Sequence, residues 1–285
     1  MKLNKRIKGI AAACALSLLT LSLTSMANAA ERVSFDGTFE QSALIRATTE
    51  PGTQVSLNGE PVKVSPSGKF VFGFEREAPL EQTLELTYPD GQKAIKHIKL
   101  RKRSYNIQHV NGISKSIMNP NSASQKRAAK DSAMVKAARN TFSDQEAFAS
   151  DFIWPTTGRI SGVYGSQRVY NGKPGTPHYG IDIARGQGTP VVAPADGVIT
   201  LAVPDMFYSG GTMIIDHGYG VNSTFLHLSK LDAKVGDKVT QGQKVAEVGS
   251  TGRSTGAHLD WRINWYQMRL DPSYLVPPMN EVLKK

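Results

Sequence analysis

Apolar and polar positions alternate in short runs between residues 31 and 104, and turn residues separate the runs. The alternation predicts five strands, at 42–48, 54–58, 69–74, 83–88 and 94–100. Asn58-Gly59 stands between two such runs and predicts a two-residue β-hairpin. Several short strands within this length are typical of a small β-sandwich, such as an immunoglobulin-like domain. No catalytic cluster is evident there, and we expect His97 on an exposed strand face.

Residues 105–150 have a different character. Asn, Ser, Ala and Lys are frequent, and large apolar residues are few. Residues 122–140 favour a helix with only a weak apolar stripe. The segment therefore predicts a linker with a helix that lies against one of its neighbours, and His109 is expected to be a surface residue.

From residue 151 to 285 the strand-and-turn pattern returns, with many glycines and almost no helical periodicity. It predicts further strands at 197–202, 212–216, 222–228, 244–248 and 258–264. The predicted fold class is all-β. A small sandwich at 30–104 and a partly helical linker at 105–150 precede an antiparallel β domain at 151–285.

The N-terminus has the pattern of a secretory signal peptide. Four basic residues precede an uncharged stretch over 9–30, and Ala27-Asn28-Ala29 fits the small-x-small cleavage rule. Residues 1–29 are therefore predicted to be a leader, with an uncleaved anchor as the alternative. Cleavage would remove Cys14, the single cysteine, so the remaining chain would have no disulfide. We expect a periplasmic or secreted protein that meets a membrane only through an uncleaved leader.

The net charge of +10 does not indicate a nucleic-acid partner, because it is unevenly distributed. The leader accounts for +4 and residues 105–150 for +3. Residues 31–104 and 151–285 carry only +1 and +2. Neither predicted β domain has the strong basic excess of a nucleic-acid-binding domain.

Candidate chemistry is concentrated in the C-terminal domain. His178-Tyr-Gly-Ile-Asp182 is an H-x-x-x-D motif, which alone is weak evidence. His258-Leu-Asp260 is more informative, because residues two apart on a strand point to the same side. In the same way His227 is expected to share a face with Phe225. His217, in a glycine-rich turn, is expected to have a turn or rim role.

Together these motifs resemble the lysostaphin-type (LytM) zinc endopeptidases, which cut peptide cross-bridges of bacterial peptidoglycan. The H-x-x-x-D motif, Phe225-Leu-His227-Leu and the run from Gly249 to Asp260 occur in the family's order. The resemblance covers about residues 151–276. It implies a zinc-dependent peptidoglycan hydrolase of the same β fold.

The resemblance also implies roles for single residues. His178 and Asp182 correspond to zinc ligands, and His227 and His258 to catalytic histidines. Asp260 occupies the third ligand position, where the family has His, and Phe225 replaces the usual Tyr. A second carboxylate would make the zinc centre less positive, so bound water would be less acidified. It would also suit a harder metal such as manganese.

Two other functions compete with the peptidase. A regulator with a degraded metal site would bind and activate another cell-wall hydrolase, and Asp260 keeps this alternative open. A lipoyl- or biotinyl-type carrier has less support, because no lysine is flanked by methionines. The expected partner is peptidoglycan, with division or wall-synthesis proteins of the envelope as further candidates. The sequence does not choose the bond that is cut or a role for residues 30–104.

Overall fold

A computed structural model describes residues 32–110 and 122–284 of the chain. The predicted leader lies outside the described residues. Within the described part, no helix has both the length and the apolar character needed to cross a membrane. Val33–Lys285 forms one compact unit. The predicted boundaries at residues 104 and 150 stay predictions.

The N-terminal region is a sandwich of two antiparallel sheets, as the alternation predicted. One sheet has the strand order β1-β2-β5 and the other β4-β3-β6-β7. Phe70, Phe72 and Leu84 are fully buried in the core between them. The strands are β1 (Val33–Asp36), β2 (Leu44–Thr49), β3 (Gln54–Leu57), β4 (Glu60–Val62), β5 (Lys69–Gly73), β6 (Glu81–Thr87) and β7 (Lys93–Lys99).

The predicted hairpin is confirmed. β3 pairs with β4 so that Leu57 lies opposite Glu60, which leaves Asn58 and Gly59 as the two loop residues. Their φ angles are 52° and 83°, the left-handed values that a type I′ turn requires at both positions. His97 is exposed on β7, as expected.

The connecting region contains strand β8 (Ile107–Val110) and helix α1 (Ser122–Arg139). Exposed His109 lies on β8, which pairs in parallel with β10 (Gln167–Tyr170) of the C-terminal domain. Helix α1 packs Met134, Val135 and Ala138 against the hairpin of β14 (Gly197–Met206) and β15 (Gly210–Asp216) in that domain. The predicted helix is therefore confirmed, and it lies against the C-terminal sheet.

The C-terminal domain is built on an eight-stranded sheet with the order β18-β14-β15-β16-β20-β12-β9, and β21 pairs with β20. A three-stranded sheet, β13-β19-β17, packs nearby. The strands are β9 (Arg159–Gly162), β10 (Gln167–Tyr170), β11 (Lys173–Pro174), β12 (Ile181–Ala184), β13 (Pro190–Val192), β14 (Gly197–Met206), β15 (Gly210–Asp216), β16 (Val221–Leu228), β17 (Lys230–Leu231), β18 (Lys238–Val239), β19 (Lys244–Glu247), β20 (His258–Trp265) and β21 (Met268–Leu270). Short helices occur at Ala147–Ala149, Pro272–Tyr274 and α2 (Met279–Val282).

The sandwich and the C-terminal domain share apolar and polar contacts. Leu44 and Val71 of the sandwich belong to the C-terminal core cluster. Arg103 forms an ion pair of 2.6 Å with Asp271, whose side chain is almost fully buried. The fold is thus mostly β-sheet, as predicted, with α1 as its one long helix among the described residues.

Candidate functional site

The site begins at the pairing of the neighbouring strands β12 and β20. Their antiparallel register sets Asp182 directly opposite Asp260, so both carboxylates lie on one face of the sheet. His258 and Asp260 both line a groove on that face, whereas Leu259 is fully buried on the other. The prediction that His258 and Asp260 point to one locus is therefore confirmed.

Three side chains in the groove could hold one metal ion. The ligand atoms of His178, Asp182 and Asp260 all lie within 4.8 Å of one another. His178 Nε2 and Asp182 Oδ1 are 3.2 Å apart, an ion-pair distance, and both atoms are buried. Buried polar atoms need partners, and a cation shared by these two would satisfy both. One imidazole and two carboxylates are a donor set that zinc accepts.

The electrostatics of His178 also favour a positive charge at this position. Burial lowers the pKa of His178, but the neighbouring carboxylates of Asp182 and Asp260 outweigh that effect and raise it overall. A group whose cationic form is favoured by two carboxylates marks a locus of negative potential. The same negative potential would stabilise a bound cation.

Gly162 and Gly180 lie directly against the two carboxylates, which fit there only because glycine has no side chain. A Cβ at Gly162 would stand 2.8 Å from the Asp182 Cγ atom. A Cβ at Gly180 would overlap Asp260 Oδ1 and stand 2.8 Å from the Trp261 carbonyl oxygen. Any side chain at either position would therefore displace a candidate ligand.

Asp260 is engaged by an arginine two residues along the same strand. Arg262 Nε donates to Asp260 Oδ1 at 3.0 Å, and Arg262 Nη2 donates to Oδ2 at 2.6 Å. Burial would raise the pKa of Asp260, but the charge and hydrogen bonds of Arg262 lower it. Each carboxylate oxygen has a second lone pair, so the ion pair still leaves Asp260 able to bind a metal.

Arg262 changes the charge argument made from the sequence. A divalent metal with two carboxylates would be neutral, but the guanidinium adds one positive charge next to it. The cluster then carries the same net charge as a metal with only one carboxylate. Arg262 therefore offsets the expected loss of positive charge at the metal site.

His227 reaches the groove through a β-bulge, which corrects the predicted face. Simple alternation would place His227 beside Phe225, which is fully buried in the core. Instead the register of β15 and β16 shifts near this point, and His227 has a φ of 63°. The bulge turns the ring to the groove side, where its centroid lies 4.8 Å from that of His258.

The hydrogen bonds of both histidines define their tautomers. His227 Nδ1 lies 2.8 Å from the Thr251 carbonyl oxygen, and His258 Nδ1 lies 2.8 Å from that of Gly256. A carbonyl oxygen only accepts, so Nδ1 carries a proton in each ring, and Nε2 is the basic nitrogen of the neutral form. Burial lowers the pKa of His227, which favours this neutral form at neutral pH.

His217 does not have the turn or rim role that was predicted. It is fully buried, and its Nδ1 donates to the Asp196 carbonyl oxygen at 2.7 Å. Its Nε2 lies 2.9 Å from the Ser223 hydroxyl. Burial lowers the pKa of His217 to about 4. His217 is therefore a neutral core residue with both nitrogens satisfied.

The groove has a volume of about 580 Å³ and is closed on one side by helix α1. Asp131, Val135 and Arg139 of this helix line it together with the metal-site residues. Sequence reasoning missed this arrangement, because the helix has little apolar pattern and lies outside the recognised motifs. In the sequence, only the basic residues Lys136 and Arg139 at the end of the helix could have indicated a contact with the groove.

Sequence similarity to known proteins is concentrated in the C-terminal domain. The model of peptidase family M23 matches residues 176–272. This match confirms the resemblance to lysostaphin-type peptidases, and all five predicted site residues lie within it. We refer to residues 176–272 as the M23 domain.

Relatives of the M23 domain include named cell-wall enzymes. The peptidoglycan DD-endopeptidase ShyA of Vibrio cholerae is 39% identical over 106 residues, which are 37% of this chain and 24% of ShyA. The DD-carboxypeptidase/endopeptidase Mpg of Neisseria meningitidis is 41% identical over 105 residues, again 37% and 24%. The match thus spans about a quarter of the length of these relatives.

A solved structure resembles much more of the chain. The crystal structure of a peptidase M23 protein from Pseudomonas aeruginosa is 27% identical and has a TM-score of 0.64. The similarity covers 84% of this chain and 95% of that one. The resemblance in fold thus extends well beyond the M23 domain.

Proposed function

We propose that the protein is a zinc-dependent endopeptidase that hydrolyses peptide cross-links of peptidoglycan outside the cytoplasm. The cluster of His178, Asp182 and Asp260 carries this proposal, because its ligand atoms lie within 4.8 Å of one another beside two histidines whose Nδ1 atoms are held by backbone carbonyl groups. The match of residues 176–272 to family M23 supports the same chemistry.

In this proposal His178, Asp182 and Asp260 hold the zinc ion. Zinc, when bound, would acidify a water molecule and polarise the scissile carbonyl group. Arg262 keeps the Asp260 carboxylate ionised and in place through its hydrogen bonds. This arrangement supplies three protein ligands, the number that leaves a catalytic zinc open to substrate.

His227 and His258 handle protons in the groove. Each ring is held at Nδ1 by a backbone carbonyl group, so its orientation is set before substrate arrives. One Nε2 accepts the proton of the attacking water. The same ring then passes this proton to the leaving amine, while the other ring, in its imidazolium form, donates a hydrogen bond to the developing oxyanion. The neutral state of His227 suits it to the first role.

We propose direct cross-links between D-amino acids as the bond that is cut, in the periplasm. The names of the ShyA and Mpg relatives, a DD-endopeptidase and a DD-carboxypeptidase/endopeptidase, support this choice. The predicted signal peptide at residues 1–29 supports export.

Digestion of purified peptidoglycan, followed by mass spectrometry of the released muropeptides, tests the proposal. We expect the zinc-loaded protein to convert cross-linked dimers into monomers. A chelator should abolish the conversion, and added zinc should restore it. The variant His97→Asn is a matched control, because it changes an exposed histidine outside the groove. Dimers that stay intact with the zinc-loaded wild type would refute the proposal.

A further inference from the structure

Arg139, the last residue of helix α1, is a buried cation without a matching anion. Its side chain lines the groove, yet the residue is only 7% exposed. Nη2 donates to the Thr224 hydroxyl at 3.3 Å, and Nε has no hydrogen-bond partner in the described structure. Among the described residues, no carboxylate forms an ion pair with it. Burial of a charge in this state is unfavourable for folding.

A role at the helix terminus does not explain this position. A basic residue in the last turn interacts favourably with the helix dipole, but an exposed side chain does so without the cost of burying a charge. The helix end is fixed, since Gln267 donates to the Lys136 carbonyl oxygen at 3.0 Å and to the Asn140 side chain at 2.7 Å. The structure therefore holds the Arg139 guanidinium against the groove.

The surroundings of Arg139 make an anion the missing component. Burial, together with the nearby charges of Arg262 and Arg269, lowers the pKa of Arg139 to about 9, and the charge of Asp260 offsets only part of this effect. Arginine remains protonated at neutral pH even so. The groove is lined by more cations than carboxylates: Lys136, Arg139, Arg253, Arg262 and Arg269 against Asp131, Asp182 and Asp260. A bound metal would increase that excess.

Thr224 places Arg139 relative to the metal ligands. In the sheet Thr224 lies opposite Arg262, which is two residues from Asp260 on β20. Two residues of a strand span about 7 Å, or about two residues of an extended peptide. A group bound at Arg139 would therefore belong to a residue within about two positions of the bond held at the metal.

We propose that Arg139 is a specificity-determining residue, which binds a carboxylate of the cross-linked peptide beside the scissile bond. This inference rests on the proposed function, because it takes the substrate to be an anionic peptide. The carboxylate is either the C-terminal group of one stem peptide or a side-chain group at the cross-link. Arg139 lies outside residues 176–272, so helix α1 contributes this specificity to the M23 domain.

Binding of uncleavable peptides to the zinc-loaded protein tests the inference. The peptides are cross-linked dimers with an N-methylated scissile amide, and they carry free carboxylates, an amidated C-terminus or an amidated side chain. We expect one of the two amidations to weaken binding to the wild type by about 10- to 100-fold, the range of a charge-assisted hydrogen bond. The amidation that does so identifies the carboxylate. Arg139→Met should remove the difference between the peptides.

Lys130→Met is the matched control, because it removes an exposed cation from the same helix outside the groove. It should keep the full preference of the wild type. Arg139→Met should unfold at the same temperature as the wild type or higher, since it removes an unpaired buried charge. Arg139→Gln makes the same comparison if Arg139→Met does not fold.

Equal binding of all three peptides by the wild type would overturn the inference. So would an equal loss of affinity for all peptides in Arg139→Met, which would indicate a structural role. Failure of both neutral variants to fold would overturn it for the same reason. If the wild type prefers the free carboxylate but hydrolyses no cleavable dimer, the proposed function fails while the carboxylate site stands.

Discussion

Arg262→Met tests how Asp260 is held at the metal site. Asp260 is 2% exposed, and Arg262 donates to both of its oxygens, at 3.0 Å and 2.6 Å. Removal of one partner from a buried ion pair leaves an uncompensated charge and typically costs 3–5 kcal/mol. We therefore expect the zinc-free variant to lose about 3–5 kcal/mol of unfolding free energy.

Zinc should reverse much of this loss. A metal bound to Asp260 supplies the positive charge that Arg262 no longer provides, so the variant gains more from zinc than the wild type does. With saturating zinc, the deficit of the variant should shrink to below about 2 kcal/mol. The removal of both charges, in Asp260→Asn with Arg262→Met, should cost less without zinc than Arg262→Met alone.

Urea unfolding followed by tryptophan fluorescence, with chelator and with zinc, measures these differences. Arg159→Met is the control, because Arg159 is exposed on strand β9 of the same sheet. It should change the unfolding free energy by less than about 0.5 kcal/mol. A zinc-free loss below about 1 kcal/mol for Arg262→Met would refute the importance of the pair. An equal loss with and without zinc would refute metal binding by Asp260.

Three further predictions concern other parts of the domain. His217→Asn should make the unfolding free energy less dependent on pH below pH 6.5. In the wild type, the stabilisation from neutral His217 is complete above pH 6.5 and falls by up to about 3 kcal/mol as the pH drops toward its pKa of about 4. Urea midpoints of the variant that fall with pH as steeply as those of the wild type would contradict this. Gly180→Ala should weaken zinc binding about tenfold or more, because the added Cβ displaces Asp260. Gly186→Ala, which has open space around it, should leave the zinc affinity unchanged, and calorimetric zinc titration measures both affinities. His227→Ala should slow dimer hydrolysis at least about 100-fold with one zinc per chain retained, and loss of the zinc itself would contradict its assignment as a base.

Much of the fold follows from local pattern. Alternation and turn chemistry predict β2, β3, β5, β6 and β7 of the sandwich and β14, β15, β16, β19 and β20 of the C-terminal domain, but not β12, which carries Asp182. Asn58-Gly59 forms the predicted two-residue turn, which is of type I′. His258 and Asp260 lie on one face because a strand has a period of two. These features depend on neighbouring residues only, so the sequence alone is sufficient to predict them.

The parts that could not be predicted depend on distant contacts or on one irregular residue. His227 faces the groove only because of a bulge with positive φ, which alternation does not describe. His217 looks like a turn residue until the Asp196 carbonyl group and the Ser223 hydroxyl enclose it. Arg139 reaches the groove because α1 packs on the β14–β15 hairpin, far away in sequence.

Anomalous scattering at the zinc edge, from a crystal of the wild-type protein purified with zinc, tests the central claim most directly. We predict one strong peak about 2.0–2.2 Å from His178 Nε2 and from one carboxylate oxygen each of Asp182 and Asp260. No peak in the groove, or a peak whose ligands exclude Asp260, would contradict the account.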